Sequence, residues 1–126
     1  KKNSRELFED NWLRGVQNET LQKPIRAIHH QPCHAWTVES LAQTAGMSRA
    51  AFAASFKKSM GESPLQYLSR WRVNRAARLI SENQLYLKEI ASRCGFNSAE
   101  VFNRSFRRFL KMSPADYKKQ ELINPR

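Results

Sequence analysis

Two stretches of this chain repeat one another. Ala45-Gly46 match Cys94-Gly95 at an offset of 49, and Leu41-Ala42 match Ile90-Ala91 at the same offset. One residue is inserted past the glycine. Ser48, Phe52, Phe56, Lys57, Lys58, Ser63, Pro64 and Tyr67 then pair with Ser98, Phe102, Phe106, Arg107, Arg108, Ser113, Pro114 and Tyr117 at an offset of 50. Identities and close substitutions held in register over this length mark an internal duplication. Whatever local structure one copy adopts, the other must adopt too.

The repeated unit reads as two helices around a tight turn. Thr37 is an N-cap candidate, and Val38, Leu41, Ala42 and Ala45 form the apolar face of a short helix. Gly46 closes it, as a residue able to turn left-handed does after a helix. Ser48 caps the next helix three residues after Ala45, which is the spacing of a helix-turn-helix. In that second helix Phe52, Phe56 and Met60 point one way, and Ala50, Ala53, Ala54 and Lys57 point the other. The second copy repeats this with Leu87, Ile90, Ala91 and Cys94 buried, Gly95 at the break and Ser98 at the cap. Phe102, Phe106 and Phe109 or Leu110 then face inward, while Glu100, Asn103, Arg104 and Arg107 face out.

Between the copies, Ser63 to Glu82 reads as one long helix. Ser63 is a good N-cap and Pro64 suits the first helical position. Leu65, Leu68, Arg72, Ala76, Leu79 and Ile80 fall on one face, and Arg70, Arg72, Arg75 and Arg78 make the wet surface positive. The expected fold is all-α: two helix-turn-helix subdomains, 21–62 and 84–122, joined by a linker helix over 63–83. Leu21 to about Gln31 suggests a further helix with an apolar side, stopped by Pro32. Residues 1–20, with Leu7, Phe8, Trp12 and Val16, read as a linker or the remnant of another domain, and 123–126 as a fraying tail.

Charge narrows the function. The chain has 126 residues with 22 basic against 11 acidic, a net charge of +11. An excess this large on so small a domain favours a polyanion. At about 1.5 Å per residue the central helix spans about 27 Å. That is close to the spacing needed to set two recognition helices about one DNA turn, ~34 Å, apart. Two distant cysteines in unlike contexts do not suggest a disulfide framework, and Cys94 stands where the other copy has Ala45, a small buried residue. No apolar run is long enough to cross a bilayer. His29, His30, Cys33 and His34 cluster, but Pro32 disfavours the helix that a metal site would need, and no fourth ligand is evident. No Ser/His/Asp set or phosphate-cradling glycine loop is visible. The reading is therefore no enzyme, no metal and no cofactor.

The residues WTVESLAQTAGMSRAAFAASFKKSMGESPLQYLSRWRVNRAARLI and LKEIASRCGFNSAEVFNRSFRRFLKMSPADYKK resemble the DNA-binding region of the AraC/XylS family of bacterial transcription regulators. The resemblance runs from about Leu21 to Lys119. It implies about seven helices in two subdomains, with the first copy entering one major groove and the second the next. It places the recognition positions on Ala50, Ala53 and Ala54, and on Ala99, Glu100, Asn103 and Arg104. The reading helices are then about 48–60 and 98–110. Ser48 and Ser98 stand at their starts, and Arg49, Lys57, Arg107 and Arg108 at their rims, with Lys58 a further phosphate candidate. The chain departs from the family in having Lys111 where a glycine is usual, and no arginine near Ala54-Ser55. The family implies a bacterial, cytoplasmic protein whose partner is promoter or operator duplex DNA, with RNA polymerase a second partner. A small-molecule effector would act only through an N-terminal domain that this chain lacks. The other class of function consistent with the residues is a basic helical module that binds RNA polymerase or another acidic protein.

Overall fold

The computed structural model describes residues 17–82 and 85–123. Leu7, Phe8, Trp12 and Val16 of the N-terminal segment lie outside the described residues, as do Asn83 and residues 124–126. The described residues form seven α-helices and no strand: α1 (Gln22–His30), α2 (Val38–Thr44), α3 (Arg49–Met60), α4 (Pro64–Glu82), α5 (Leu87–Arg93), α6 (Ala99–Leu110) and α7 (Pro114–Ile123). They make two compact units. Of the described residues, one holds 17–31 and Trp36–Leu68; the other holds Pro32–Ala35, 69–82 and 85–123.

The duplication is visible in the bonds that begin and end the helices. The Ser48 hydroxyl accepts from Ala51 N at 3.2 Å, and Ser98 does the same for Val101 N at 3.2 Å. Ser63 and Ser113 cap α4 and α7 through Gln66 N and Asp116 N. Each such cap satisfies an otherwise orphaned N–H, typically worth about 1 kcal/mol. At the other end, Gly46 N and Met47 N donate to Gln43 O and Ala42 O, and Gly95 N and Phe96 N donate to Ser92 O and Ala91 O. This is the Schellman closure, with Gly46 at φ 66° and Gly95 at φ 88°. The N-caps of α2 and α5 differ. Thr37 and Ser40 form a reciprocal capping box at 3.0 and 2.9 Å, while Tyr86 makes no side-chain cap.

In the first unit the core is Leu21, Ile25 and Ile28, Leu41 and Ala42, Phe52, Phe56 and Met60, with Tyr67 and Leu68 from the first turns of α4. Phe56 meets the Tyr67 ring edge-on at 5.5 Å, a favoured aromatic geometry. The stretch read as linker also contributes here: the Asn18 amide donates to Ser59 Oγ at 2.9 Å, tying that segment to α3.

His29 lies against Tyr67, with a ring nitrogen 2.6 Å from the Tyr67 hydroxyl. Burial pushes its imidazole from 6.5 down to about 4, so it is neutral at pH 7. As pH falls, the unfolded chain takes up the proton first. The stability His29 contributes is therefore complete above about 6.5 and is lost toward about 4. Allowing for its partial exposure, the loss is about 1–2 kcal/mol. The urea midpoint of the chain should fall between pH 7 and pH 4, and fall less in His29→Gln, whose amide can keep the Tyr67 bond. Equal pH dependence in the two proteins would contradict this assignment.

In the second unit Val73, Ala76 and Ile80 of α4 pack with Ile90, Ala91 and Cys94 of α5 and with Phe96, Phe102 and Phe106. The aromatic pairing of the first unit recurs, with Phe106 edge-on to Tyr117 at 5.4 Å. The single apolar face expected for α4 needs correction. Leu65 is 47% exposed, and the buried residues are Pro64, Tyr67 and Leu68 in one unit and Val73, Ala76 and Ile80 in the other. A single helical stripe does not describe a helix that serves two cores.

The arginines of α4 do not share one wet face either. Arg70 lies half-buried with its guanidinium 4.8 Å from the Phe109 ring centroid. Arg72, also half-buried, donates from Nε to Pro32 O at 2.8 Å and from Nη2 to His34 O at 2.6 Å. Arg75 and Arg78 are exposed, and Arg78 pairs with Glu82 at 3.6 Å. Arg72 is thus the clamp that holds the Pro32–Ala35 loop in the second unit. The signal for it in the sequence was an arginine inside an apolar i, i+4 series, between Leu68 and Ala76.

Candidate nucleic-acid interface

Each unit presents one helix whose inner face is locked by aromatic residues. On α3, Phe52, Phe56 and Met60 are fully buried. The opposite face carries Arg49, Ala50, Ala54, Lys57 and Lys58, all exposed, and Ala53, half-buried. On α6, Phe102 and Phe106 are buried, while Ala99, Glu100, Asn103, Arg104, Arg107 and Arg108 are exposed. The sequence-predicted residues therefore gather on one outward face of each helix.

Not every one of them has a free role. Ser48 and Ser98 accept the capping bonds through their hydroxyl oxygens, which leaves each O–H able to donate. Arg49 reaches Glu39 at 3.5 Å, but both side chains are 67% exposed, and such pairs are worth well under about 1 kcal/mol. A phosphate can displace the carboxylate cheaply. Arg108 lies 5.7 Å from the Phe109 ring centroid, so it partly flanks the core. Exposed Ala51 and Val101 also sit on these surfaces and were not singled out from the sequence. They follow directly from the helical phase, one position beyond Ala50 and Glu100.

The C-terminus of α6 resolves the question posed by Lys111. The helix runs to Leu110 and ends with Lys111 in the left-handed region at φ 63°, where the first copy has Gly61 at φ 81°. Lys111 N donates to Arg107 O at 2.9 Å just as Gly61 N donates to Lys57 O at 2.8 Å. The fold keeps the left-handed stop and accepts a strain of about 1 kcal/mol for an L side chain there.

The histidines and cysteine that cluster in the sequence have different partners. His29 belongs to the first unit against Tyr67, whereas Cys33 and His34 lie in the loop held by Arg72 in the second. Among the described residues no group of three or more His, Cys, Asp or Glu side chains could hold a metal ion. No helix among them is long and apolar enough to cross a membrane.

Comparison with known proteins places this arrangement. The helix-turn-helix domain family matches residues 41–120. A putative AraC-like transcription regulator of Streptomyces lividans is 40% identical over 108 residues, 86% of this chain and 36% of its own length. The HTH-type transcriptional regulator AlkR of Acinetobacter baylyi is 37% identical over 110 residues, 87% of this chain and likewise 36% of its own. The chain thus spans about a third of the length of these relatives. Among solved structures, the DNA-binding domain of AdpA, a global transcriptional factor crystallised with a target DNA, superposes with a TM-score of 0.75 at 35% identity. That match covers 82% of this chain and 94% of the AdpA domain. The chain belongs to the AraC-type helix-turn-helix domains of transcription regulators.

Proposed function

We propose that the chain binds duplex DNA sequence-specifically as the reading domain of a transcription regulator, with α3 and α6 each entering a major groove. The observation that carries this is the repeated presentation: two helices capped alike, ended alike and buried alike, each turning a polar or small-residue face outward in a chain of net charge +11. The AdpA domain, solved with its target DNA, lends the same reading to the shared fold. Ala50, Ala53 and Ala54, and Ala99, Glu100, Asn103 and Arg104, are the residues assigned to base edges. Arg49, Lys57, Lys58, Arg107 and Arg108 are assigned to phosphates. RNA polymerase is a candidate second partner for the remaining basic surface, and effector recognition is assigned to sequence outside the span that matches the longer regulators.

The test is a gel shift on duplex DNA across a salt series. Each phosphate neutralised adds about −0.9 to the slope of log K against log salt. Five contacts, from Arg49, Lys57, Lys58, Arg107 and Arg108, give a slope of about −4.5, so a fourfold rise in salt weakens binding about 500-fold. Affinity that stays flat over that range would rule out electrostatic docking on DNA and favour a protein partner.

A further inference from the structure

Cys33 and Cys94 are 61 positions apart in the chain, and nothing in their spacing links them. The fold of the second unit brings them together. Arg72 draws the Pro32–Ala35 loop onto the end of α5 by its bonds to Pro32 O and His34 O. The Cys33 carbonyl then lies so close to Gly95 that a Cβ there would meet it at 2.9 Å. Cys94, the C-cap residue of α5, is fully buried in the core cluster, and Cys33 packs against that same cluster while still partly open to solvent. Both thiols are free, and each lies close enough to the other to shift its titration.

We propose that this pair is an oxidisable dithiol: Cys33 is the thiolate that attacks a hydroperoxide, and Cys94 resolves the product into an intramolecular disulfide. The Cys33 sulfur displaces alkoxide or hydroxide from the peroxide O–O bond and becomes a sulfenic acid, the peroxide being reduced to an alcohol or water. The Cys94 thiol then attacks that sulfur, its proton leaving with the hydroxyl as water as the S–S bond forms. Two thiols and one hydroperoxide give one disulfide, one alcohol or water from the peroxide, and one further water.

The chemistry of the site suits these roles. The Cys94 S–H bond, with Arg72 and Arg75 nearby, lowers the Cys33 thiol from 9.0 to about 7 despite its burial. Cys94 shifts the other way, raised by its bond to Cys33 and by burial, so it stays a thiol until Cys33 has reacted. At pH 7 the larger thiolate fraction outweighs the weaker nucleophilicity of an acidic thiol, and Cys33 should react about five-fold faster than an ordinary cysteine. The product staples the Pro32–Ala35 loop to the turn that seats α6.

The experiment uses the reduced chain with equimolar hydrogen peroxide at pH 7, followed by intact mass and peptide mapping. The expected result is a monomer lighter by two hydrogen atoms, both thiols lost together, a peptide joining Cys33 to Cys94, and reversal by dithiothreitol. Cys94→Ala, the residue that the first copy carries at Ala45, should stop at a dimedone-trapped sulfenic acid on Cys33 and react more slowly. Cys33→Ser should leave Cys94 unreactive in the folded chain. Disulfide-linked dimers, oxygen added at Cys33 with the Cys94 thiol intact, or a Cys33 that reacts no faster than free glutathione would overturn the proposal.

Discussion

Gly95→Ala should cost about 2–5 kcal/mol of stability, and Gly46→Ala only about 1–2. Both glycines close a Schellman turn with positive φ, 88° and 66°, and each substitution incurs the left-handed strain of an L residue, about 1–2 kcal/mol. The difference lies in what surrounds them. A Cβ on Gly46 meets nothing within 4 Å. A Cβ on Gly95 meets Cys33 O at 2.9 Å and Arg72 Nε at 3.0 Å, and the second of these atoms is already donating to Pro32 O. The carbonyl is backbone held by a clamp, so the relief must come from moving the loop and weakening Arg72's bonds. Overpacking of that kind costs a further ~1–3 kcal/mol. Urea unfolding of the two variants reads the difference. Equal losses would mean that the loop does not press on the second turn as described.

Arg104→Ala should relax sequence preference at one base pair by about 1–3 kcal/mol, roughly 5- to 150-fold, while Lys57→Ala weakens all sequences alike. Base edges in the major groove are distinguished by hydrogen bonds, and the two copies differ sharply in what they offer. The outward face of α3 shows Ala50 and Ala54 exposed and Ala53 half-buried, able to give only apolar contact to a thymine methyl. The matching places on α6 are Glu100, Asn103 and Arg104, all exposed. Arg104 can bond guanine in bidentate fashion, Asn103 adenine, and Glu100 a cytosine amine. The α6 half-site should therefore be the more constrained, with α3 docking chiefly on shape and backbone. Small alanines could instead let α3 sit deeper and read through water. Competition with single-base variants of a bound duplex separates the two. A half-site under α3 that tolerates no more change than the one under α6 would refute the asymmetry.

How much of this was legible follows the range of the interactions. The caps at Ser48, Ser63, Ser98 and Ser113, the turns at Gly46 and Gly95 and the inward phenylalanines are local, and repetition made each readable twice. The exposed faces of α3 and α6 follow from those phenylalanines by helical phase alone. Tertiary contacts leave a fainter trace. Arg72 looked like one of four surface charges until its partners proved to be carbonyls forty and thirty-eight residues earlier. His29 looked like part of a metal-like cluster, yet its partner is Tyr67. Cys94 was correctly read as a small buried residue, but Cys33 beside it could not be foreseen from an irregular loop. The α4 stripe misplaced Leu65 because a single periodicity was applied to a helix with two cores.

The central claim is that this chain reads duplex DNA through α3 and α6. Selection from a random duplex library, at salt high enough to suppress non-specific binding, tests it most directly. The expected result is a recovered site with its strongest constraint in one half, and loss of that constraint at one base pair when the selection is repeated with Arg104→Ala. Recovery of no common sequence, or of a site that the Arg104→Ala variant selects unchanged, would contradict it.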